Sequence, residues 1–115
     1  MDAIRRLLAS QKQNEDAPSG GATYLLVGLG NPGREYRENR HNIGFMALDA
    51  VSKALDARLG RLQSRALVSS VVWEGNRVIL AKPQTFMNLS GQAVSSLLRF
   101  YKVPLIRLLV IHDDL

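Results

Sequence analysis

Two unbroken apolar runs, Tyr24-Leu25-Leu26-Val27 and Leu108-Leu109-Val110-Ile111, enclose most of the patterned part of this chain, and each passes directly into a polar segment. A strand that is apolar at every position is buried on both faces, which requires a sheet covered by helices on either side. Between the runs, apolar residues recur at helical spacing twice. Ile43, Met46, Ala47, Ala50, Val51, Ala54 and Leu55 form the first set, and Ala93, Val94, Leu97, Leu98 and Tyr101 the second. Asn88 or Ser90 is placed to cap the second helix, and Pro104 marks its end. Two strand-like stretches, 66–73 and 77–81, flank Glu74-Gly75-Asn76, the signature of a hairpin. The predicted architecture is therefore α/β: a single three-layer α/β/α domain with a mixed sheet. The run Leu108–Ile111 reads as a central strand. Such a strand needs a neighbour on each side and helices on both faces, so a sequence closing at Leu115 reads as truncated just after it.

At 115 residues and 46% apolar content the chain supports one core. It has no cysteine, which removes disulfides and thiolate metal sites and leaves the cytoplasm as the default compartment. No apolar run approaches the ~20 residues of a membrane span, and no signal-peptide pattern opens the sequence, so no membrane partner is expected. A net charge of +5 suits a polyanionic partner such as nucleic acid. Residues 1–22 differ from the rest. Ile4, Leu7 and Leu8 beside Arg5 and Arg6 are amphipathic, but the polar, Pro/Gly/Ser-containing stretch after them reads as a linker, so 1–22 is expected to be a flexible tail and 23–115 the domain.

The polar segments carry the chemistry. They read Gly28-Leu29-Gly30-Asn31-Pro32-Gly33, Arg40-His41-Asn42, Thr85-Phe86-Met87-Asn88-Leu89-Ser90-Gly91 and His112-Asp113-Asp114. The first matches the dinucleotide fingerprint Gly-x-Gly-x-x-Gly after a strand, with Asp49 downstream for a ribose, but Pro32 and the polar residues 34–40 separate it from the helix that would hold a pyrophosphate. His41 follows one strand-and-turn unit and Asp113 ends another. Sites in open α/β sheets form at the carboxyl ends of strands, so the two residues can meet at one edge, where the carboxylate would fix the imidazole tautomer and leave the other nitrogen to take a proton from water. His112, Asp113, Asp114 and His41 could instead hold a metal, but they lack any strong ligand spacing. Ser90 lacks the Gly-x-Ser-x-Gly elbow of a nucleophile. Asn31 and Asn88 have simpler roles open to them as turn and cap residues, and Tyr36, Phe86 and Met87 as core. Their company of amides and aromatic surface equally suits an acyl-amino-acid chain on the end of a nucleic acid.

Taken in order, Leu26-Val27-Gly28-Leu29-Gly30-Asn31-Pro32-Gly33, Glu35-Tyr36, Arg40-His41-Asn42-Ile43-Gly44, residues 82–91 and His112-Asp113-Asp114-Leu115 resemble the bacterial-type peptidyl-tRNA hydrolase family. The resemblance implies hydrolysis of the ester joining a peptide to the ribose of tRNA, in a monomeric cytosolic enzyme without a cofactor or metal. In it His41 is the general base that activates water and Asp113 holds the base in its basic form. Asn31 distinguishes blocked from free aminoacyl groups, while Tyr36, Phe86 and Asn88 line the site for the peptide and the tRNA end. Members of the family continue beyond the His-Asp-Asp-Leu segment into a second half that is not in these 115 residues. Weak or absent turnover is therefore expected of the chain by itself, and the competing reading is a tRNA- and peptide-binding fragment without activity.

Overall fold

A computed structural model describes residues 21–32 and 42–113. The expected tail therefore falls almost wholly outside the described residues. Its last residue, Ala22, is held: its N–H donates to Asn76 Oδ1 at 3.0 Å and its carbonyl accepts from the Arg77 N–H at 2.9 Å.

The elements run β1 (Thr23–Gly28), α1 (Ile43–Ala54), β2 (Arg61–Gln63), β3 (Ala66–Trp73), β4 (Asn76–Pro83), a 3₁₀ turn (Met87–Leu89), α2 (Ser90–Tyr101), a second 3₁₀ turn (Leu105–Arg107) and β5 (Leu108–Ile111). They form a five-stranded sheet in the order β2-β3-β4-β1-β5. β1 is parallel to both β4 and β5, whereas β2, β3 and β4 are antiparallel, so the sheet is mixed.

The expected hairpin is present. Its two-residue turn is Glu74-Gly75, with φ of 49° and 79°, the backbone hand that matches the twist of paired strands. A second tight turn, Ser64-Arg65 with φ of 52° and 61°, adds β2, which the sequence did not announce. Neither residue is a Gly or Asn, so composition carries no sign of it.

One face of the sheet presents Leu25, Val27, Ala66, Val68, Ile79 and Ala81, packed under Leu97 of α2 and Val103. Alternation along β1 puts Gly28 on the other face, where it meets Gly44 and Leu48 of α1. Helices thus cover both faces and the three layers are realised. On α2 the expected inward residues are the observed ones. On α1 they are not: the buried positions are Gly44, Phe45, Leu48 and Ser52, while Ile43 and Met46 are 45% and 47% exposed. α1 is apolar around much of its circumference, and the close seating of Gly44 selects which side turns inward. The expected caps of α2 also differ. Leu89 occupies the N-cap position without a side-chain hydrogen bond, because the 3₁₀ turn feeds the chain directly into the helix. The helix closes before Pro104, with Lys102 in the left-handed conformation and the Val103 N–H donating to the Leu98 carbonyl at 2.9 Å.

β1 has a neighbour on each side; its Leu25 and Val27 are fully buried on the α2 face, while Tyr24 and Leu26 on the other face are partly buried. β5, expected at the centre, lies at the edge of the described sheet, and its Leu109 and Val110 are 59% and 41% exposed. Apolar sequence equips a strand for burial, but burial needs neighbours, and the described residues give β5 only β1. The α1 face is correspondingly open. A cavity of about 450 Å³ lies there, lined by Tyr24, Leu26, Val51, Trp73, Val78 and Leu109 among others.

The contact at Gly28 and Gly44 admits no side chain. A Cβ on Gly44 would stand well inside van der Waals contact of the Leu29 and Ile111 carbonyl oxygens, and one on Gly28 would meet the Gly44 carbonyl. Gly44→Ala is expected to destabilise the chain by ~1–3 kcal/mol despite the better helix propensity of alanine. Urea unfolding followed by circular dichroism measures this, and an unchanged midpoint would show that the helix can lift away freely.

Candidate active site at the carboxyl edge of the sheet

The parallel strands β1, β4 and β5 all end on one side of the molecule, and the sequence's polar motifs follow from those ends. Leaving β1, the Leu29 N–H donates to the Ile111 carbonyl at 2.9 Å, which extends the pairing with β5 past the strand itself. The backbone at Leu29 and Ile111 is also what the start of α1 rests on through Gly44. Three segments therefore converge: Leu29-Gly30-Asn31 after β1, Asn42-Ile43-Gly44 at the start of α1, and Ile111-His112-Asp113 at the end of β5.

Asn42 joins two of these segments directly. It is 2% exposed. Its Oδ1 accepts the Asn31 N–H at 2.7 Å and its Nδ2 donates to the Asn31 carbonyl at 3.0 Å. A side-chain amide that takes both backbone groups of one residue imitates a paired strand, and only one orientation of the carboxamide satisfies both bonds. Gly30 is part of the same arrangement, since a Cβ there would lie 2.7 Å from Asn42 Oδ1 and 2.8 Å from the Phe45 ring.

Of the sequence-predicted site residues, Asn31 and Asp113 are brought to this edge. Asp113 is half-buried two residues past β5, and its backbone carbonyl lies 2.8 Å from Nδ1 of the exposed His112. His41 and Tyr36 lie outside the described residues. His41 is nonetheless bonded in the chain to Asn42, whose own position is tightly held. Phe86, 71% exposed, and Asn88, exposed in the 3₁₀ turn, follow β4 on the same side of the sheet. Ser90 is 3% exposed and its hydroxyl is shut away from the surface, so it offers no nucleophile.

The structure also answers the dinucleotide fingerprint. The space that Gly28 and Gly30 would open to a pyrophosphate is filled by the chain: Gly44 and Leu48 against Gly28, Asn42 and Phe45 against Gly30. Asp49, which would serve the ribose, instead pairs with Lys82 at 2.8 Å, and that ammonium lies 5.0 Å from the centre of the Phe45 ring. Among the described residues there is no group of three or more His, Cys, Asp or Glu arranged to hold a metal ion. Sequence reasoning missed Asn42. In the sequence Asn42 stands only as the last residue of the Arg40-His41-Asn42 motif, and an asparagine at a helix N-cap position ordinarily signals a local cap.

Residues 25–115 match the family model described as peptidyl-tRNA hydrolase. The curated peptidyl-tRNA hydrolase of Caldanaerobacter subterraneus is 50% identical over 91 residues, covering 79% of this chain and 49% of that protein. That of Geobacter sulfurreducens is 51% identical over 94 residues, covering 82% and 49%. The crystal structure of peptidyl-tRNA hydrolase from Acinetobacter baumannii superposes with a TM-score of 0.76 at 36% identity, over 81% of this chain and 48% of that one. This chain belongs to the peptidyl-tRNA hydrolase family. It spans about half the length of the curated relatives it matches.

Because the glycine turn is packed with protein atoms, dinucleotides are expected not to bind. A ligand at a hundred times its Kd adds ~2.7 kcal/mol to stability. Thermal unfolding with and without millimolar NAD should superimpose, and a rise of several degrees would reinstate a nucleotide site.

Proposed function

We propose that this chain carries the catalytic edge of a peptidyl-tRNA hydrolase, with His41 as general base, Asp113 as its orienting carboxylate, and Asn31, Tyr36, Phe86 and Asn88 as the substrate-contacting set. The observation that supports this reading is the convergence of the end of β1, the end of β5 and the start of α1, in which Asn31 and Asn42, the neighbour of His41, form one hydrogen-bonded unit and the end of β5 leads on to Asp113. Family membership supports the substrate class.

In this reading His41 takes a proton from water as the water oxygen attacks the carbonyl carbon of the ester. The tetrahedral adduct collapses by breaking the bond to the ribose oxygen, which leaves as a hydroxyl carrying the proton back from the imidazolium. Donor groups near Asn31 hold the acyl chain, and the exposed Phe86 offers apolar and stacking surface to the tRNA end. The +5 net charge favours a tRNA partner, and such a substrate implies a cytosolic setting. Among the described residues no helix is long and apolar enough to cross a membrane. A monomer suffices for this chemistry, since all the proposed residues come from one chain.

A chimera that continues from Leu115 with the rest of the Geobacter sulfurreducens relative provides the test. His41→Ala in that chimera is expected to slow single-turnover cleavage of peptidyl-tRNA by ~10²–10⁴-fold while binding persists. Near-normal cleavage would remove His41 from the mechanism. The 115-residue chain alone is expected to cleave far more slowly than the chimera, because Asp113 follows an exposed edge strand and misplacement by ~1 Å can cost about a hundredfold; equal rates would show that the edge is already ordered enough for catalysis.

A base mechanism should also survive chelators, and the rate should rise with pH as imidazole loses its proton. Loss of activity with EDTA, restored by a divalent cation, would favour a metal held by His41, His112, Asp113 and Asp114 instead.

A further inference from the structure

We infer that Asn42 is a positioning residue that presents Asn31 to the substrate, a role resting on the hydrolase reading above. Three observations carry it. Asn42 occupies the N-cap of α1, with φ of −114° and ψ of 22°, yet makes no capping hydrogen bond to the helix. An asparagine cap ordinarily contributes ~1 kcal/mol to helix stability, so its amide is committed elsewhere against a local alternative. Both of its described side-chain bonds go across the chain to the backbone of Asn31, eleven residues away. Gly30, next to Asn31, leaves the space this amide enters.

The geometry has a functional consequence. Asn31 is partly exposed at the surface of the edge while its N–H and C=O are turned inward onto a buried partner. With both backbone groups held, rotation about the Asn31 backbone is restricted and its side chain projects from a fixed base. Preorganisation of this kind lowers the ordering cost of binding. Asn42 itself is 2% exposed, so its effect on substrate is exerted through Asn31. One amide thus ties the start of α1 to the Asn31 turn.

The test uses the full 115-residue chain and a stable probe, an N-acetyl-aminoacyl-adenosine in which an amide replaces the ester. Asn42→Ala is expected to move the Asn31 backbone amide resonance upfield and speed its hydrogen exchange, and to weaken probe binding about tenfold, the equivalent of ~1.4 kcal/mol. Asn31→Ala should weaken binding by a similar factor, and the double variant should be no worse than Asn31→Ala alone, because Asn42 acts through Asn31. Additive losses would overturn the positioning role and leave Asn42 a general structural residue. An unmoved Asn31 amide in Asn42→Ala would overturn the clamp. Gly30→Ala provides a second route if Asn42→Ala unfolds: its Cβ displaces the Asn42 amide without removing it, and should produce the same Asn31 shift and the same loss of affinity. Failure of the unmodified chain to bind the probe would overturn the substrate reading and the role argued from it, whereas the Asn31 amide would still report whether the clamp exists.

Discussion

The close approach of Gly28 and Gly44 is the contact on which the rest of the arrangement depends. Two positions without side chains let the first turn of α1 lie against the ends of β1 and β5, near enough that the Leu29 and Ile111 carbonyls occupy the place of a Gly44 Cβ. A helix held off by an ordinary side chain would leave Asn42 short of Asn31 and Phe45 short of Gly30. The contact therefore determines which side of α1 is buried, where the helix begins relative to the sheet, and which polar residues share the carboxyl edge. Packing at this density transmits such constraints because neither backbone has room to retreat.

Hydrogen bonding then gives the edge its detail. Past the Leu29–Ile111 bond, Asn42 takes the place of a paired strand for the turn after β1 by meeting one N–H and one C=O of Asn31 with a single carboxamide. Leaving those groups buried without partners would cost ~1–3 kcal/mol each. Elsewhere the same economy joins layers. The Tyr101 hydroxyl donates to Gln63 Oε1 at 2.6 Å and accepts from Arg61 at 2.8 Å, fastening the end of α2 to β2. Arg77, 8% exposed, lies 5.1 Å from the centre of the same ring and donates to Ser70 at 3.0 Å, so its charge is spread over an aromatic face and a hydroxyl.

The two faces of the sheet are unequally covered. α2 and Val103 close one side over Leu25, Val27, Ile79 and Ala81. On the other, α1 covers the carboxyl end, and the cavity bounded by Tyr24, Trp73 and Leu109 remains open. Together with the exposed edge of β5, this apolar surface is consistent with a chain that spans about half the length of its relatives.

Much of this was legible in the residues themselves. Unbroken apolar runs located β1 and β5, strand-like stretches on either side of Glu74-Gly75-Asn76 located β3 and β4, and the 3.6-residue period located α2. The Glu74-Gly75 turn was readable from a glycine at a position that needs positive φ. The Gly-x-Gly turn and the Asn, His and Asp residues announced a polar site at strand ends. Other features were decided only in three dimensions. The inward face of α1 followed from the seating of Gly44, not from its ambiguous apolar stripe. Ser64-Arg65 adopted a tight turn that its residue types do not favour, held by strand pairing on both sides. β5 has the sequence of a central strand and the environment of an edge, since burial belongs to the neighbours and not to the strand. Asn42, read locally, is a helix cap. Its commitment to Asn31 exists only because the fold brings a turn eleven residues distant within hydrogen-bonding reach, and that choice between a near and a far partner is one that no local pattern encodes.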